Sequence, residues 1–352
     1  MAAHPRRASE LIDIRPDERL DAARLEPWLR AHLPATPGAL TISQFGGGHA
    51  NLTYLVRFGD REYVLRRPPL GPLAPTAHDM RREHRVLARL GAGYPLAPTS
   101  YALCDDPTVI GADFHVMERR RGFVIRGELP PDVAADSVLA RRLGEMLADS
   151  LAALHRIDPR AVGLDSLGRP DGYVTRQLAG WTARWAATGR ELPAIDRVAA
   201  WLRAGLPPQQ AATLVHNDYQ LENILVDAAD PANAVAVLDW DMCTRGDPLM
   251  DLGYLLNCWT DPDDDPAWRG LSPAPGCAPG LPTRRELVER YARSAGFDVD
   301  HAHWYHVFGV FKLAVVLEQI HVRFRRGQTR DARFATLGER VEKLAAKGLA
   351  LL

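Results

Sequence analysis

Lysine is almost missing from this chain. Of 43 lysine and arginine residues only three, Lys312, Lys343 and Lys347, are lysine; the other forty are arginine, and no lysine precedes position 312 in the 352 residues. That excludes a Walker-type phosphate loop, whose Gly-Lys-Ser/Thr lysine must reach the terminal phosphates. It also excludes a Schiff-base lysine anywhere before Lys312. Cysteine is scarce too: Cys104, Cys243, Cys258 and Cys277 stand far apart with no C-x-x-C pair, which speaks for a reducing compartment rather than a disulfide framework. Long apolar runs are lacking. The N-terminus has no continuous apolar segment of the signal-peptide kind, and the most apolar late stretch, Phe308 to Ile320, is broken by Lys312 and Glu318 and is too short to span a bilayer. A formal net charge of −1 gives no global pull towards nucleic acid or anionic lipid. The expectation is a cytoplasmic protein with no nucleic-acid or membrane partner, its oligomeric state left open.

What is present is ordinary globular material, 46% hydrophobic and 25% charged, enough for a sizeable core in two domains or one bilobal unit. Residues 1–35 read as a polar lead-in with one short helix, Asp21 to His32. Residues 36–118 are strand-rich. Leu52, Tyr54, Val56 and Phe58 alternate with Thr53, Leu55 and Arg57, Gly59-Asp60 turns the chain, and Glu62 to Arg66 returns. Pro68-Pro69 ends that strand. A helix is predicted from about Thr76 to Leu90, then strands over Thr99–Cys104 and Phe114–Met117. Residues 119–352 are dominated by helical patterns (Leu139–His155, Val174–Trp185, Arg284–Ala295, His301–Arg325) around one short hairpin, 225–227 with 235–238. The Pro/Gly/Asp-rich segment Thr260–Pro282 reads as an exposed loop.

Chemistry concentrates in Leu214-Val215-His216-Asn217-Asp218-Tyr219-Gln220-Leu221-Glu222-Asn223, followed by Leu238-Asp239-Trp240-Asp241. H-x-D-x-x-x-x-N is the spacing of a kinase catalytic loop. If the hairpin pairs antiparallel, Asn223 enters its first strand where Asp239 leaves its second. An amide oxygen and a carboxylate then sit side by side, a hard-oxygen pair suited to Mg²⁺. Asp218 projects towards the same spot, placed to orient or deprotonate a substrate hydroxyl. Upstream, Gly46-Gly47-Gly48-His49-Ala50-Asn51 precedes a strand, where glycines let backbone N–H groups cradle phosphate. On the predicted helix Glu83, Val86, Leu87 and Leu90 share an apolar stripe, so Glu83 needs a cationic partner; Arg66 or Arg67 on the preceding strand can supply it.

With these residues the chain resembles the aminoglycoside phosphotransferase and choline kinase family over nearly everything from Thr41 onwards. The resemblance implies an α+β, bilobal protein-kinase-like fold: a small antiparallel β lobe with one helix, and a larger, mainly helical lobe. It implies ATP (GTP not excluded) and Mg²⁺, with Asp218 as catalytic base, Asn223 and Asp239 as metal ligands and Asp241 assisting through a water. His216 opens the catalytic loop, and Asp251 braces it from a helix start. Gly47, Gly48, Asn51, Arg66 and Glu83 would serve the nucleotide phosphates, Met117 would be gatekeeper, and the Glu118 carbonyl and Arg120 amide would meet the adenine edge. Two departures stand out: Ala50 replaces the serine common in the family's glycine loop, and Arg66 stands where many relatives have lysine. Leu65-Arg66-Arg67-Pro68-Pro69, the Glu118-Arg119-Arg120-Arg121-Gly122 hinge and Arg323-Phe324-Arg325-Arg326 look most like the branch that includes stand-alone bacterial phosphotransferases and kinase domains fused to acyl-CoA dehydrogenases.

The resulting expectation is transfer of the γ-phosphate to a hydroxyl of a small molecule. Arg119, Arg120, Arg121 and Arg126 near the hinge, with Arg323, Arg325 and Arg326, favour a hydroxyacyl thioester or other anionic metabolite. The alternatives are an aminoglycoside or macrolide kinase, for which Asp261, Asp263, Asp264 and Asp265 could form an acidic cleft, or a nucleotide-binding pseudokinase or scaffold. Trp181, Trp185 and Trp259 are read as core or as an apolar pocket wall. His301, His303 and His306 lack the i, i+4 spacing of a two-histidine metal site.

Overall fold

A computed structural model describes residues 11–46, 51–71, 78–329 and 332–352. Gly47, Gly48, His49 and Ala50, and with them most of the expected glycine cradle, lie outside the described residues. The small lobe is a six-stranded sheet of β1 (Leu11–Ile12), β2 (Leu40–Phe45), β3 (Leu52–Phe58), β4 (Arg61–Arg67), β5 (Ser100–Cys104) and β6 (Phe114–Glu118). Its order is β1-β2-β3-β4-β6-β5 and every pairing is antiparallel. Among the described residues this part of the chain has three α-helices: α1 (Ala22–His32), α2 (Met80–Leu90) and the single turn α3 (Pro107–Ile110). The β3–β4 turn is Gly59-Asp60, as its sequence requires, with Gly59 in the left-handed region at φ 56°.

Strand alternation sorts the two faces. Tyr54, Val56, Phe58, Tyr63, Leu65, Phe114 and Val116 pack with Leu25, Leu29 and Leu33 of the N-terminal segment. Val64 and Met117 point the other way, towards Val86, Leu87 and Leu90 of α2. The short helix expected over Asp21 to His32 is α1, and it closes one face of the small-lobe sheet. Asp79 caps α2 by accepting from the Arg82 amide at 3.0 Å, so the helix begins at Met80.

The large lobe contains β7 (Phe123–Val124), α4 (Pro131–Ala135), α5 (Ser137–His155), α6 (Tyr173–Thr188), α7 (Pro193–Ala204), β8 (Thr213–Val215), β9 (Ile224–Val226), β10 (Ala234–Val237), β11 (Thr244–Gly246), α8 (Leu249–Asn257), α9 (Arg284–Ala295), α10 (Ala302–Arg325) and α11 (Leu337–Ala350). The expected hairpin is β9–β10, with Val237 opposite Ile224. α8 and α10 cross at glycines: a Cβ on Gly309 would lie 2.8 Å from the Gly253 carbonyl, and one on Gly253 would strike the Tyr305 backbone. Backbone cannot yield as a side-chain tip can, so Gly253→Ala is expected to cost about 1–3 kcal/mol, read as a lower Tm with an unchanged, cooperative transition.

The 260–282 segment is the irregular, largely exposed stretch its composition suggests, but it is tied to the large lobe at several points. Arg284 Nη1 reaches Asp264 at 2.6 Å and Asp261 at 3.2 Å. Leu271 is buried, and the Ser272 hydroxyl donates to the Asn257 carbonyl at 2.6 Å. Two of the four acids that could have lined a cleft for a polycation are thus committed to an internal arginine. A third, Asp265, accepts from the Ala267 amide at 2.8 Å and caps a short turn.

Candidate active site

The catalytic-loop segment runs from the end of β8 to the start of β9. Asn217 adopts φ 68°, a left-handed conformation that asparagine tolerates better than most residues. Each of its polar atoms is engaged. Its amide donates to Asp251 Oδ1 at 2.7 Å, its Nδ2 to the Met242 carbonyl at 3.0 Å, and its Oδ1 accepts from the Tyr173 hydroxyl at 2.6 Å. Its carbonyl accepts from Lys312 Nζ at 2.5 Å. Asp251, fully enclosed near the start of α8, also takes the His216 amide at 2.6 Å and faces His155 Nε2 at 3.2 Å. Burial would raise its pKa, but the His155 hydrogen bond and charge, then His216, hold it below the ordinary carboxylate value. The His216 ring meets the Leu238 carbonyl at 2.9 Å, tying the loop to the strand end that carries Asp239.

Asp218 and Asn223 follow on the cleft side. Asn223 Nδ2 donates to the Asp218 carboxylate and to the Asp218 carbonyl, each at 2.8 Å. The amide nitrogen is therefore spent, and the amide oxygen is the atom Asn223 has left to offer. The Leu238 amide donates to the Asn223 carbonyl at 2.8 Å, which sets Asp239 beside Asn223 as the hairpin spacing requires. Asp239 sits at φ 69°. Burial raises the Asp218 pKa; Lys312 opposes the rise and the Asp239 charge adds to it.

The small lobe supplies the cation. Arg66 Nη1 lies 3.1 Å from Glu83 and its Nη2 2.8 Å from Asp239, so one guanidinium joins α2 to the end of β10. The pleat decides between the two candidate arginines. Arg66 shares its face with Val64, whereas Arg67 turns to the opposite side and donates to the Ile110 carbonyl at 2.9 Å. Glu83 is fully buried; desolvation would raise its pKa, yet Arg66 first and His115 second bring it down to about 2. His115 Nε2 lies 3.2 Å from the other Glu83 oxygen, and its Nδ1 is 3.1 Å from the Ser100 hydroxyl, which also meets His84 at 2.9 Å. Sequence reading missed His115: within Phe114–Glu118 it was one residue of an otherwise apolar alternation.

Asn51, expected at the nucleotide, turns its side chain onto Asp241 (3.2 Å) and His78 (2.9 Å). Burial, then the charges of Asp239 and Glu83, push the Asp241 carboxyl up to about 7. Acids crowded in this way are relieved by a cation. Asp239, Asp241 and the free amide oxygen of Asn223 form an oxygen-only set, so the residues fit Mg²⁺.

Of these groups, Asn51, Arg66, Asn223 and Asp239 line a cavity of about 280 Å³ between the lobes, together with Val64, Met117, Val124 and Leu225. Glu118, Arg119, Arg120 and Arg126 also line it. A separate cavity of about 380 Å³ between α6, α10 and α11, lined by Arg190, Glu318 and His321, touches none of the groups above. The histidines of the 301–306 stretch do not converge: His303 Nε2 meets the Leu351 carbonyl at 2.8 Å and His306 is buried.

Substitution separates the two arginines. Arg66→Ala leaves Glu83 buried without its strongest partner, and the nucleotide role that the resemblance implies for Arg66 predicts a loss of about 10–100-fold in kcat/KM for ATP. Arg67→Ala is expected to lower Tm and leave kcat/KM within about threefold. Steady-state kinetics beside thermal melts would check both, and equal, mild kinetic effects would show the cation to be misplaced.

The model of the phosphotransferase enzyme family (APH) matches residues 41–298. Acyl-CoA dehydrogenase family member 10 of Mus musculus is 34% identical over 325 residues, covering 91% of this chain and 30% of that protein. Acyl-CoA dehydrogenase family member 11 of Mus musculus is 33% identical over 353 residues, covering 97% and 44%. The chain thus spans less than half the length of these relatives. A solved Ralstonia eutropha structure, provisionally assigned as an aminoglycoside phosphotransferase, superposes with a TM-score of 0.81 at 29% identity, over 95% of this chain and 98% of the other.

Proposed function

The chain belongs to the phosphotransferase enzyme family, and from that premise we propose that it moves the γ-phosphate of ATP, with Mg²⁺, onto a hydroxyl of an anionic small molecule. Membership makes it a small-molecule kinase; nucleotide, metal and acceptor are the parts proposed. One observation carries the reading: Arg66 of the small lobe and Asn223 and Asp239 of the large lobe line the same interlobe cavity, with Glu83 paired to Arg66 and the Asp218 carboxylate held by Asn223 directly behind its wall.

In this reading Val64, Met117, Val124 and Leu225 give the purine an apolar seat, and the backbone at Glu118 and Arg120 reads its edge. Arg66 keeps its charge, because Glu83 and Asp239 raise its pKa against the opposing effect of burial, and it can grip phosphate with two donors. Asn223 and Asp239 would hold Mg²⁺, with Asp241 behind them. When bound, the ion neutralises charge on the phosphates. Asp218 orients the acceptor hydroxyl and takes its proton, while Asp251, His216 and Tyr173 keep the loop in place. The work is mainly positioning and charge neutralisation.

For the acceptor, the arginines lining the cavity mouth and the commitment of Asp261 and Asp264 to Arg284 favour an anion over a polycation. A hydroxyacyl thioester meets that chemistry, and relatives named as acyl-CoA dehydrogenase family members are compatible with it. The four cysteines are all free thiols, which agrees with a cytoplasmic setting. The test is ADP release with Mg²⁺ against hydroxyacyl-CoAs, aminoglycosides, macrolides and amino alcohols, with mass spectrometry showing one added phosphate on any product. Turnover of the hydroxyacyl thioesters is expected. ATP binding that needs no Mg²⁺, with no acceptor consumed, would leave a nucleotide-binding scaffold instead.

A further inference from the structure

Lys312 lies at the middle of α10, one of three lysines in a chain that otherwise uses arginine. Its ammonium reaches the catalytic loop, where its one hydrogen bond to a described residue goes to the Asn217 carbonyl at 2.5 Å. It stands 4.5 Å from the centre of the Tyr254 ring and 5.7 Å from that of Trp181. Among the described residues no carboxylate comes within ion-pair distance of it, although Asp218 and Asp251 act on it by charge. The side chain remains partly open to solvent. An ammonium has three donors, and two of them have no hydrogen-bond partner among the described residues.

A structural brace does not explain this. Asn217 is already fixed by Asp251, Tyr173 and Met242, so the loop keeps its left-handed turn with or without a fourth bond. Desolvating an ammonium with no paired carboxylate costs stability, and such a cost is retained where a site needs the charge. The compact ammonium also fits between two rings and a backbone carbonyl, where the wide, planar guanidinium of arginine would not.

We propose that Lys312 is a ligand-binding residue that receives a negatively charged oxygen presented beside Asp218. Two sources share that chemistry: the γ-phosphoryl group in transfer, and an anionic group on the acceptor near its reacting hydroxyl. The inference rests on the kinase reading above, and it places on α10 a cation that the catalytic loop itself lacks.

Lys312→Met removes the charge and keeps the stem; Lys312→Arg keeps the charge and changes its shape. The full chain is used, with two ligand readouts: thermal stabilisation by Mg·ADP with aluminium fluoride, which mimics the phosphoryl group in flight, and KM for hydroxyacyl-CoA. Lys312→Met is expected to melt at or above the wild-type temperature. It should also lose at least tenfold in one ligand readout, and Lys312→Arg, whose guanidinium does not fit between the rings, should lose in the same readout. Loss with aluminium fluoride assigns the γ-phosphoryl group; a raised acceptor KM with ATP KM unchanged assigns the acceptor anion. Wild-type behaviour in both readouts overturns the proposal and leaves a brace, for which a lower melting temperature is the expected sign. Should Lys312→Met fail to melt cooperatively, Lys312→Gln decides by the same two readouts. If the wild-type chain itself shows neither stabilisation nor turnover, the kinase reading fails; if only the variants are indifferent, the role of Lys312 fails.

Discussion

Asp239→Asn is expected to stop phosphoryl transfer, with kcat lower by about 10³-fold or more and with Mg²⁺-dependent stabilisation by ATP lost. The substitution is almost isosteric, and asparagine accepts the φ of 69° found there, so the loop stays in place. What goes is charge. Arg66 loses one of its two carboxylates, the one at 2.8 Å, and keeps Glu83. The oxygen set proposed for the metal loses an anion. The same change acts on stability in a direction that can be worked out. Asp241 is pushed up to about 7 first by burial and next by Asp239, so between its ordinary value and about 7 the folded state binds more protons than the unfolded state. Its contribution to stability is therefore full at acid pH and is lost as pH rises through that window. Removing the Asp239 charge weakens this loss. In the metal-free chain the Tm of the variant relative to wild type should improve from about pH 5 to about pH 8. Full turnover by this variant would sink the metal assignment, whatever its stability.

Local spacing made much of this site legible, because local spacing is what a hairpin and a helix translate directly into geometry. Asn223 and Asp239 are sixteen positions apart, yet the β9–β10 pairing places them together, and periodicity alone put Glu83 on the buried stripe of α2. The same rule could have decided between Arg66 and Arg67. Tyr63, Leu65 and Arg67 share one face of the strand and Val64 shares the other with Arg66, so only one arginine could meet α2. Lys312 and His115 were not legible, because their partners lie on elements far away in sequence. A charge inside the apolar run from Phe308 to Ile320 was a signal for Lys312, but a charged residue there equally describes a helix surface; only the crossing of α10 against the catalytic loop decides. Asp261 and Asp264 show the opposite failure. An acidic, proline-rich run reads as solvated until Arg284, some twenty residues on, is seen to gather both. The arginine bias has a consequence of its own. At position 66 it supplies a fork that holds Glu83 and Asp239 together, and at position 312 its interruption marks a place where a fork would not fit.

Asp218→Asn should lower kcat by about 10²–10⁴-fold while leaving KM for ATP within about threefold, and that split distinguishes it from Asp239→Asn. Among the described residues the Asp218 side chain meets Asn223 and Gln220 and no group of the small lobe, so the proposed nucleotide seat is not expected to depend on its charge. An asparagine carbonyl can still accept from Asn223 Nδ2, which keeps the donor that turns the Asn223 amide oxygen towards the cleft. The step that fails is the one requiring a carboxylate: orienting the acceptor hydroxyl and taking its proton. Because burial raises the Asp218 pKa above the ordinary carboxylate value, wild-type kcat should fall as pH drops through that raised pKa, when the base becomes protonated. The variant has no such group and should show no limb there, only a low, flat rate. Asp218→Ala is the useful contrast. It also frees Asn223 from its carboxylate tether, so ATP and metal binding should weaken along with kcat. A variant pair in which Asn and Ala behave alike, with kcat near wild type, would remove Asp218 from the chemistry and leave it as a support for Asn223.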